Sequence, residues 1–396
     1  MSDTSKGPSK PIVPPIVLSS TFEFPTAESM IDAAVRPCTD HLYTRWSNPT
    51  LAQVEQRVAE LEGAEQALLT ASGMSAIHVA LMAALDVGSG RTANGGQTGS
   101  GAEGETGVLL VQRETYGATH ELVEHVLSPL GIEVRRANVD AMADAAGSLP
   151  PRSVIYVELP TNPLIRLVDV SAVRRQAPED ACIIVDATFA TPINVRVLDL
   201  GADLSVHSAT KYLGGHHDLI AGVVSGNGPL IARAWRMRKL FGPVLDPAAA
   251  YRLWRGLETL ALRVERQNAS AADLARRLSN HPRVERVHHP TLEAHPDHAL
   301  SRRMMRGCGG VLSFEVAGGA PGAAAVANAT GHIARAASLG GVSTLVTWPS
   351  GVTHVGLSPD ERAASGVGPG LLRLAVGIEP VETLWEDLAQ ALEEAP

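Results

Sequence analysis

The chain has 396 residues, with 33 Lys or Arg against 42 Asp or Glu, so its formal net charge at neutral pH is −9. This length suggests two or three domains of ~150 residues each. The acidic balance argues against a nucleic-acid binder that relies on overall positive charge. Hydrophobic residues at 45% and charged residues at 19% are typical of a soluble globular protein and not of a disordered one.

Cysteine usage and the apolar runs exclude further classes of protein. Cys38, Cys182 and Cys308 are widely spaced and offer neither a disulfide framework nor paired zinc ligands. The first residues lack the apolar core of a signal peptide, and no uninterrupted apolar run reaches the ~18 residues of a membrane span. Adjacent histidines occur without further ligands at diagnostic spacing, so no metal site is expected. We therefore expect a cytoplasmic protein with no membrane or nucleic-acid partner.

The predicted elements begin with an extended arm over residues 1–47, which contains several prolines. Residues 51–61 place apolar side chains at spacings of three, four and three, which indicates one face of a helix. In residues 88–107, eight of 20 positions are glycine. This glycine-rich segment cannot bury enough surface to offset its ordering entropy, so we predict a surface loop inserted into the first large domain.

Short apolar runs separated by helical stretches dominate residues 48–250. Runs of this kind, without polar alternation, are what a parallel sheet covered on both faces requires. We therefore predict an α/β domain with a mostly parallel sheet flanked by helices over residues 48–250. The predicted strands are residues 66–70, 108–111, 154–157, 182–185, 204–206 and 222–224.

A different pattern follows, and residues 251–396 are predicted to form a smaller α+β domain. A long helix is predicted over residues 248–274, with a weak point at Gly256. Strands are predicted at residues 284–288, 311–316 and 371–376, and helices at residues 323–329 and 381–392.

The strongest chemical signal is the sequence VHSATKYLGG over residues 206–215. It places Lys211 just after a predicted buried strand, where a sheet presents its carboxyl edge. Because burying an ammonium is costly, a lysine there indicates a neutral amine, which attacks carbonyl carbons and forms Schiff bases. From this motif alone, a solvated loop lysine is the alternative interpretation.

A second signal is Asp186, which ends another predicted strand 25 residues before Lys211. That interval fits one strand–helix–strand unit, so the acid and the amine can face one crevice. A buried carboxylate needs a cationic partner, and a protonated pyridine nitrogen would supply one. Pyridoxal phosphate uses this pairing to keep its ring an electron sink. In isolation, Asp186 is equally compatible with a turn or helix-capping residue.

The phosphate of such a cofactor also needs a binding site. Residues 71–75, ASGMS, lie between a predicted strand and a helix start, where free backbone N–H groups favour an anion. Ser208 and Thr210, beside Lys211, could donate hydroxyl hydrogen bonds to the same group. A glycine at a strand–helix turn is by itself weak support, because it is commonly required by backbone geometry alone.

Read together, these and further motifs resemble the Cys/Met-metabolism family of pyridoxal-phosphate enzymes. That family includes cystathionine γ-synthase, cystathionine γ-lyase, methionine γ-lyase and the O-acylhomoserine sulfhydrylases. The resemblance implies an aminotransferase-like α/β fold of type I, bound pyridoxal 5′-phosphate and a homo-oligomer, a dimer of dimers, whose active sites are shared between subunits. The matching segments, in family order, are residues 43–50, 71–74, 116–119, 160–163, 185–190, 207–216, 338–342, 353–354 and 373–377.

The resemblance also implies a role for each matching residue. Lys211 would hold the cofactor covalently and move protons on the substrate. Tyr116 would stack on the ring and act as an acid or base toward the leaving group, and Asp186 would pair with the pyridine nitrogen. Further cofactor contacts would come from Gly73, Met74, Thr188, Ser208 and Thr210, and from Tyr43 and Arg45 of a neighbouring subunit. The substrate α-carboxylate would be held by Asn162, Ser338 and Arg373.

Departures from the family pattern bear on the reaction. At residues 116–119 this chain has YGAT, whereas methionine γ-lyases have a pattern that resembles YGCT. Ala118 therefore replaces the cysteine, and a cysteine-assisted methionine lyase is disfavoured. Ser343 stands where the lyases and several synthases usually carry a glutamate, which puts cystathionine itself in doubt as a substrate. Trp348 replaces a polar residue, and either narrows the pocket or packs under the cofactor domain.

Two reactions therefore remain open. Residues 186–192 and the Gly242-Pro243 pair most resemble the synthases, which favours γ-replacement on a small activated amino acid of the O-acylhomoserine type by a thiol. The alternative is γ-elimination on a cystathionine-like or unusual γ-substituted amino acid in specialised metabolism. From other classes, an inactive cofactor-binding relative is disfavoured by Lys211, Asp186 and Tyr116 occurring together. A Rossmann dehydrogenase is disfavoured by the lack of a GxGxxG turn.

Overall fold

The computed structural model describes residues 11–35, 41–85, 108–352 and 366–394. The predicted glycine-rich insertion, the motif at residues 353–354 and Cys38 lie outside the described residues. The helices, numbered α1 to α13 in chain order, are Ala27–Val35, Pro49–Glu62, Gly73–Leu85, Gly117–Leu122, Met142–Gly147, Val170–Gln176, Thr191–Asn194, Gly228–Phe241, Pro247–Leu257, Leu260–Ser279, His298–Met304, Gly319–Ala329 and Val381–Glu394. The strands, β1 to β12, are Gln66–Thr70, Leu109–Gln112, Val134–Ala137, Val154–Glu158, Cys182–Asp186, Leu204–His207, Gly222–Gly226, Val284–His288, Val311–Val316, Ala334–Arg335, Leu345–Thr347 and Leu371–Ala375.

The larger of the two sheets has seven strands, in the order β1-β7-β6-β5-β4-β2-β3. Its central strands are parallel, and only the β1–β7 and β7–β6 pairs are antiparallel. Each apolar run predicted as a strand overlaps one of these strands. The strand β3 was not predicted, because its sequence VRRA carries two arginines, which its place at the sheet edge tolerates. The prediction of a mostly parallel α/β sheet is confirmed.

Helices cover this sheet on both faces, because successive strand residues point to opposite sides. On one face, Tyr156 and Ile184 belong to the same apolar cluster as residues of α3 and α8. On the other face, Ile155 and Ile183 pack with residues of α5 and α6. Strands such as β2 and β5 therefore carry an apolar run that ends in a polar residue, Gln112 and Asp186 respectively.

A second sheet of five strands, in the order β10-β11-β12-β9-β8, lies in the last third of the chain. It is antiparallel except for the β10–β11 pair, and α10, α12 and α13 pack on it. The strands β10 and β11 are only two and three residues long and were not predicted. The limits of the arm and of the two domains, at residues 47 and 250, stay predictions.

The long helix predicted over residues 248–274 is wrong, because the chain forms two helices there, α9 and α10. The interruption follows Gly256, the weak point in the sequence. A Cβ atom at Gly256 would lie 2.4 Å from the carbonyl oxygen of Gly214, so this glycine allows α9 to touch the turn that follows Lys211. Within the described residues, none of the helices has the length and apolarity to cross a membrane.

Candidate active site

A cavity of about 340 Å³ lies where the parallel strands β4, β5 and β6 end. Glu158 and Asp186 are the last residues of β4 and β5, and Ser208 follows the last residue of β6. Because the carboxyl ends of parallel strands share one edge of a sheet, these polar side chains are brought together there. Ser338 and Arg373 reach the same cavity from the second part of the chain.

Most of the predicted site residues line this cavity. Those that do are Gly73, Met74, Tyr116, Asn162, Asp186, Thr188, Ser208, Thr210, Lys211, Ser338 and Arg373. Tyr43 and Arg45 lie outside this lining. Arg45 donates from Nη1 to the carbonyl oxygen of Lys239 at 2.7 Å, and its guanidinium lies 5.5 Å from the centre of the Tyr43 ring.

The amine of Lys211 is placed by a tight turn. The Lys211 N–H donates to the carbonyl oxygen of Ser208 at 3.0 Å, and its Nζ donates to Oγ of Ser338 at 3.0 Å. Burial, and next the positive charge of Arg373, lower the pKa of Lys211 to about 8. A substantial fraction of the amine is therefore neutral near physiological pH, as attack on a carbonyl carbon requires.

The carboxylate of Asp186 is held by donors on both oxygens. The Thr188 N–H donates to Oδ1 at 2.9 Å, and the Tyr156 hydroxyl donates to Oδ2 at 3.4 Å. Burial nevertheless raises the pKa of Asp186 above its ordinary value. A cation beside this carboxylate would stabilise its ionised form, which is the role expected of a protonated ring nitrogen.

Arg373 forms the opposite side of the cavity. Its side chain, in a residue only 3% exposed, donates from Nη1 to Oδ1 of Asn162 at 2.9 Å and from Nη2 to the carbonyl oxygen of Ser338 at 3.0 Å. Its buried Nε has no hydrogen-bond partner among the described residues. Burial lowers the pKa of Arg373 to about 10, so it remains charged at neutral pH. The Arg373 guanidinium can therefore bind a carboxylate, which would accept a hydrogen bond from the unpaired Nε.

The amino-terminal end of α3 lies where the sequence predicts an anion site, which stays a prediction. Gly73 begins this helix, whose first N–H groups have no partners within the helix. A Cβ atom at Gly73 would lie 2.6 Å from Cβ of Ser208, so the two segments approach as closely as glycine permits. The Thr188 hydroxyl accepts from the Ser208 N–H at 2.8 Å. The Thr210 hydroxyl donates to the carbonyl oxygen of Ala221 at 3.1 Å, so its proton is already engaged.

Glu158 is a site residue that the sequence analysis missed. It lines the cavity, and its Oε1 accepts from the Tyr116 N–H at 2.8 Å. The available signal was its position: Glu158 ends the run VIYVE as Asp186 ends the run CIIVD. Two acids at the ends of two buried strands indicate one shared edge of a sheet.

The two departures expected to shape the pocket lie outside the cavity lining. Trp348 packs against the apolar core of the second sheet, and its Nε1 donates to the carbonyl oxygen of Pro369 at 2.9 Å. The interpretations that Trp348 narrows the pocket or packs under the cofactor domain are therefore wrong. Ser343 is exposed.

Comparison with known proteins agrees with this geometry. Residues 2–393 match the family model described as Cys/Met metabolism PLP-dependent enzyme. The chain belongs to this family. It is 38% identical to an L-methionine gamma-lyase of Pseudomonas deceptionensis over 96% of this chain and 92% of that protein. It is 37% identical to an O-succinylhomoserine sulfhydrylase of Pseudomonas aeruginosa over 94% of this chain and 89% of that protein.

Solved structures resemble the whole fold of this family member. A cystathionine gamma synthase from Xanthomonas oryzae pv. oryzae in complex with cystathionine has a TM-score of 0.86 and 33% identity, covering 99% of this chain and 95% of that chain. The type I fold expected from the resemblance is therefore confirmed. The relatives include lyases, synthases and a sulfhydrylase, so the protein is an enzyme of the γ-substitution and γ-elimination class.

Pyridoxal phosphate is the cofactor of this family, and the residues present fit it. The fit rests on the buried Asp186 carboxylate, the Lys211 amine with its lowered pKa, and the close approach of Gly73 to Ser208 at a helix start. When bound, the cofactor supplies an electron sink for bonds at the substrate Cα and Cβ.

Proposed function

We propose that the protein catalyses γ-replacement on a small activated amino acid of the O-acylhomoserine type, in which a thiol replaces the acyl group at Cγ. The observation that carries this proposal is one cavity that is lined by the Lys211 amine, the Asp186 carboxylate and the Arg373 guanidinium. A carboxylate anchor, a proton-transferring amine and an acid for the ring nitrogen are what this chemistry requires.

Each residue has a defined task in the proposal. Arg373 and Asn162 bind the α-carboxylate with the help of Ser338, which also accepts from Lys211 Nζ. Lys211 would take the proton from Cα, give it up to the cofactor, and then take a proton from Cβ. Its lowered pKa of about 8 makes its amine suited to both steps. Tyr116, 44% exposed at the cavity, gives a proton to the departing acyl oxygen.

The cofactor contacts are proposed on the same basis. Asp186 would keep the ring nitrogen protonated, and Tyr116 would pack against the ring. The phosphate would be held by Gly73, Met74 and Ser208, with Thr188 fixing the Ser208 backbone. Thr210 would join them when its hydroxyl turns from the carbonyl oxygen of Ala221 to the phosphate. Tyr43 and Arg45 reach the phosphate of a neighbouring subunit, so that a dimer is the smallest active unit and a dimer of dimers the full assembly. The cytoplasmic location expected above remains part of this proposal.

Sequence features support replacement over elimination. Ala118 lacks the thiol that the methionine γ-lyase pattern carries, and residues 186–192 resemble the synthases. Elimination remains the second candidate, because the chain is 38% identical to an L-methionine gamma-lyase. Both reactions use the same residues up to loss of the γ-substituent, and the thiol then decides the product.

Product analysis distinguishes the two reactions. We expect the holoenzyme, incubated with O-acetylhomoserine or O-succinylhomoserine, to form a thioether amino acid when cysteine is present. The Lys211→Ala protein should form no product and should not retain the cofactor after borohydride reduction, since it lacks the amine. Formation of 2-oxobutyrate at one rate with and without cysteine would eliminate the synthase proposal in favour of the lyase. Turnover by Lys211→Ala would contradict the mechanism.

A further inference from the structure

Two carboxyl groups lie side by side at the inner wall of the cavity. Glu158 and Asp186 are register partners at the ends of the parallel strands β4 and β5. Register partners in neighbouring strands are about 4.8 Å apart and point to the same face of the sheet. Glu158 is only 6% exposed, and both residues line the cavity.

Two such groups at this spacing cannot both ionise without large repulsion, so one of them keeps its proton. The hydrogen bonds indicate which one. Asp186 accepts from the Thr188 N–H and from the Tyr156 hydroxyl, one on each oxygen, which stabilises its charge. Glu158 accepts from the Tyr116 N–H on Oε1 and shares the Tyr156 hydroxyl with Asp186, so it has fewer donors of its own.

The other titratable groups around the pair favour the same assignment. The charge of His207 on β6 favours the ionised form of Asp186. Burial, and next the charge of Asp186, hold the pKa of Glu158 well above its usual range. A cofactor ring nitrogen on Asp186 would strengthen that preference. The remaining titratable groups that line the cavity are Tyr116, Lys211 and Arg373.

We propose that Glu158 is the protonated, neutral member of this carboxyl pair and acts as a positioning residue that fixes Tyr116 through its backbone N–H. Tyr116 precedes α4, and its own side chain makes no capping hydrogen bond there. Glu158 is itself fixed, because its N–H donates to Oε1 of Gln112 at 3.0 Å. Its neutrality leaves Asp186 as the single anion for the ring nitrogen. The inference rests on the proposed function only for the task of Tyr116.

Two substitutions at Glu158 test whether this side chain acts as a neutral hydrogen-bond acceptor or as a charged group. Glu158→Gln keeps an oxygen for the Tyr116 N–H and carries no charge, so we expect kcat within about threefold of the original enzyme. Glu158→Ala removes the acceptor and should lower kcat about tenfold or more. Val157→Ala is the matched control, since Val157 lies on the same strand but packs into the core on the other face. It should leave kcat unchanged.

Infrared difference spectra of the holoenzyme test protonation without any substrate. At neutral pH we expect a carboxylic-acid carbonyl band, sensitive to D₂O, that is present in the original enzyme and missing in Glu158→Gln. Because this readout needs no turnover, it stands even if the proposed reaction is wrong. Absence of the band difference, or a Glu158→Gln enzyme as slow as Glu158→Ala, would overturn the inference.

Discussion

The Lys211 amine is separated by 3.0 Å from the Ser338 hydroxyl and shares its cavity with the Arg373 guanidinium. Desolvation removes much of the advantage that water gives an ammonium, and the neighbouring positive charge adds to this. The result is a pKa of about 8 for Lys211. At the residue scale, the surroundings convert an ordinary basic side chain into a nucleophile.

This shift predicts a pH dependence for adduct formation by the cofactor-free protein. Because only the neutral amine attacks, the rate of borohydride-trapped addition of a small aldehyde should rise with pH through a midpoint at about 8 and then level off. Intact-mass analysis at a series of pH values measures this rate. The Lys211→Ala protein is the control: its other lysines should react only at higher pH, and its α-amino group, whose ordinary pKa is also ~8, gives the background to subtract. A Lys211 midpoint near ~10, the ordinary lysine range, would contradict the burial argument.

At the scale of elements, the turn between α9 and α10 supports the segment that carries Lys211. Arg263, in the first turns of α10, donates from Nη1 to the carbonyl oxygen of Tyr212 at 2.8 Å and from Nη2 to that of Gly256 at 2.7 Å. Gln267, one turn later, donates to the carbonyl oxygen of Gly341 at 2.8 Å. One helix therefore ties two active-site turns together.

Gly256→Ala tests this contact. The new Cβ would meet the carbonyl oxygens of Gly214 at 2.4 Å and of Leu213 at 2.7 Å, which forces α9 away from the Lys211 turn. We expect the free energy of unfolding to fall by ~1–3 kcal/mol and the cofactor to bind more weakly. Denaturant unfolding and cofactor titration measure the two effects. Gly368→Ala is the matched control, because its Cβ would meet no atom of the described residues within 4 Å. Equal effects of the two substitutions would show that the contact is unimportant.

At the scale of the whole molecule, the amino-terminal segment exposes several large apolar side chains. Ile12, Leu18 and Ile31 are exposed, and Tyr43 is 42% exposed outside the cavity of its own chain. Exposed apolar surface of this kind indicates a protein interface. It supports the proposal that Tyr43 and Arg45 act in the site of a second subunit.

Mixed dimers test whether sites are shared. Lys211→Ala and Arg45→Ala proteins should each be poorly active alone. After unfolding and refolding together, about a quarter of the original activity should return, because half of randomly paired dimers are hybrids and each hybrid has one intact site. The measurement compares the activity of the co-refolded mixture with the activity of each variant refolded alone. No recovery, or full activity of Arg45→Ala by itself, would show that Arg45 does not serve a neighbouring site.

The sequence predicted the central strands and the chemistry of Lys211 and Asp186 because these depend on local pattern. Buried parallel strands are short apolar runs, and a polar residue at the end of such a run lies at the sheet edge. The prediction from sequence missed the edge strand β3, because its two arginines interrupt the apolar pattern. It also merged α9 and α10 into one helix. It also failed for Glu158, since its importance comes from contacts with residues distant in the chain.

The sequence by itself therefore determined the fold class, the cofactor and most of the cavity lining, because motifs such as residues 206–215 encode both a turn and its chemistry. Only the tertiary structure decided which groups interact electrostatically or form a hydrogen bond with each other. The pairing of Glu158 with Asp186, the seating of Trp348 on the second sheet and the contact of Gly256 with Gly214 all join distant segments. Such contacts follow from packing and desolvation in three dimensions, which no local pattern of residues records.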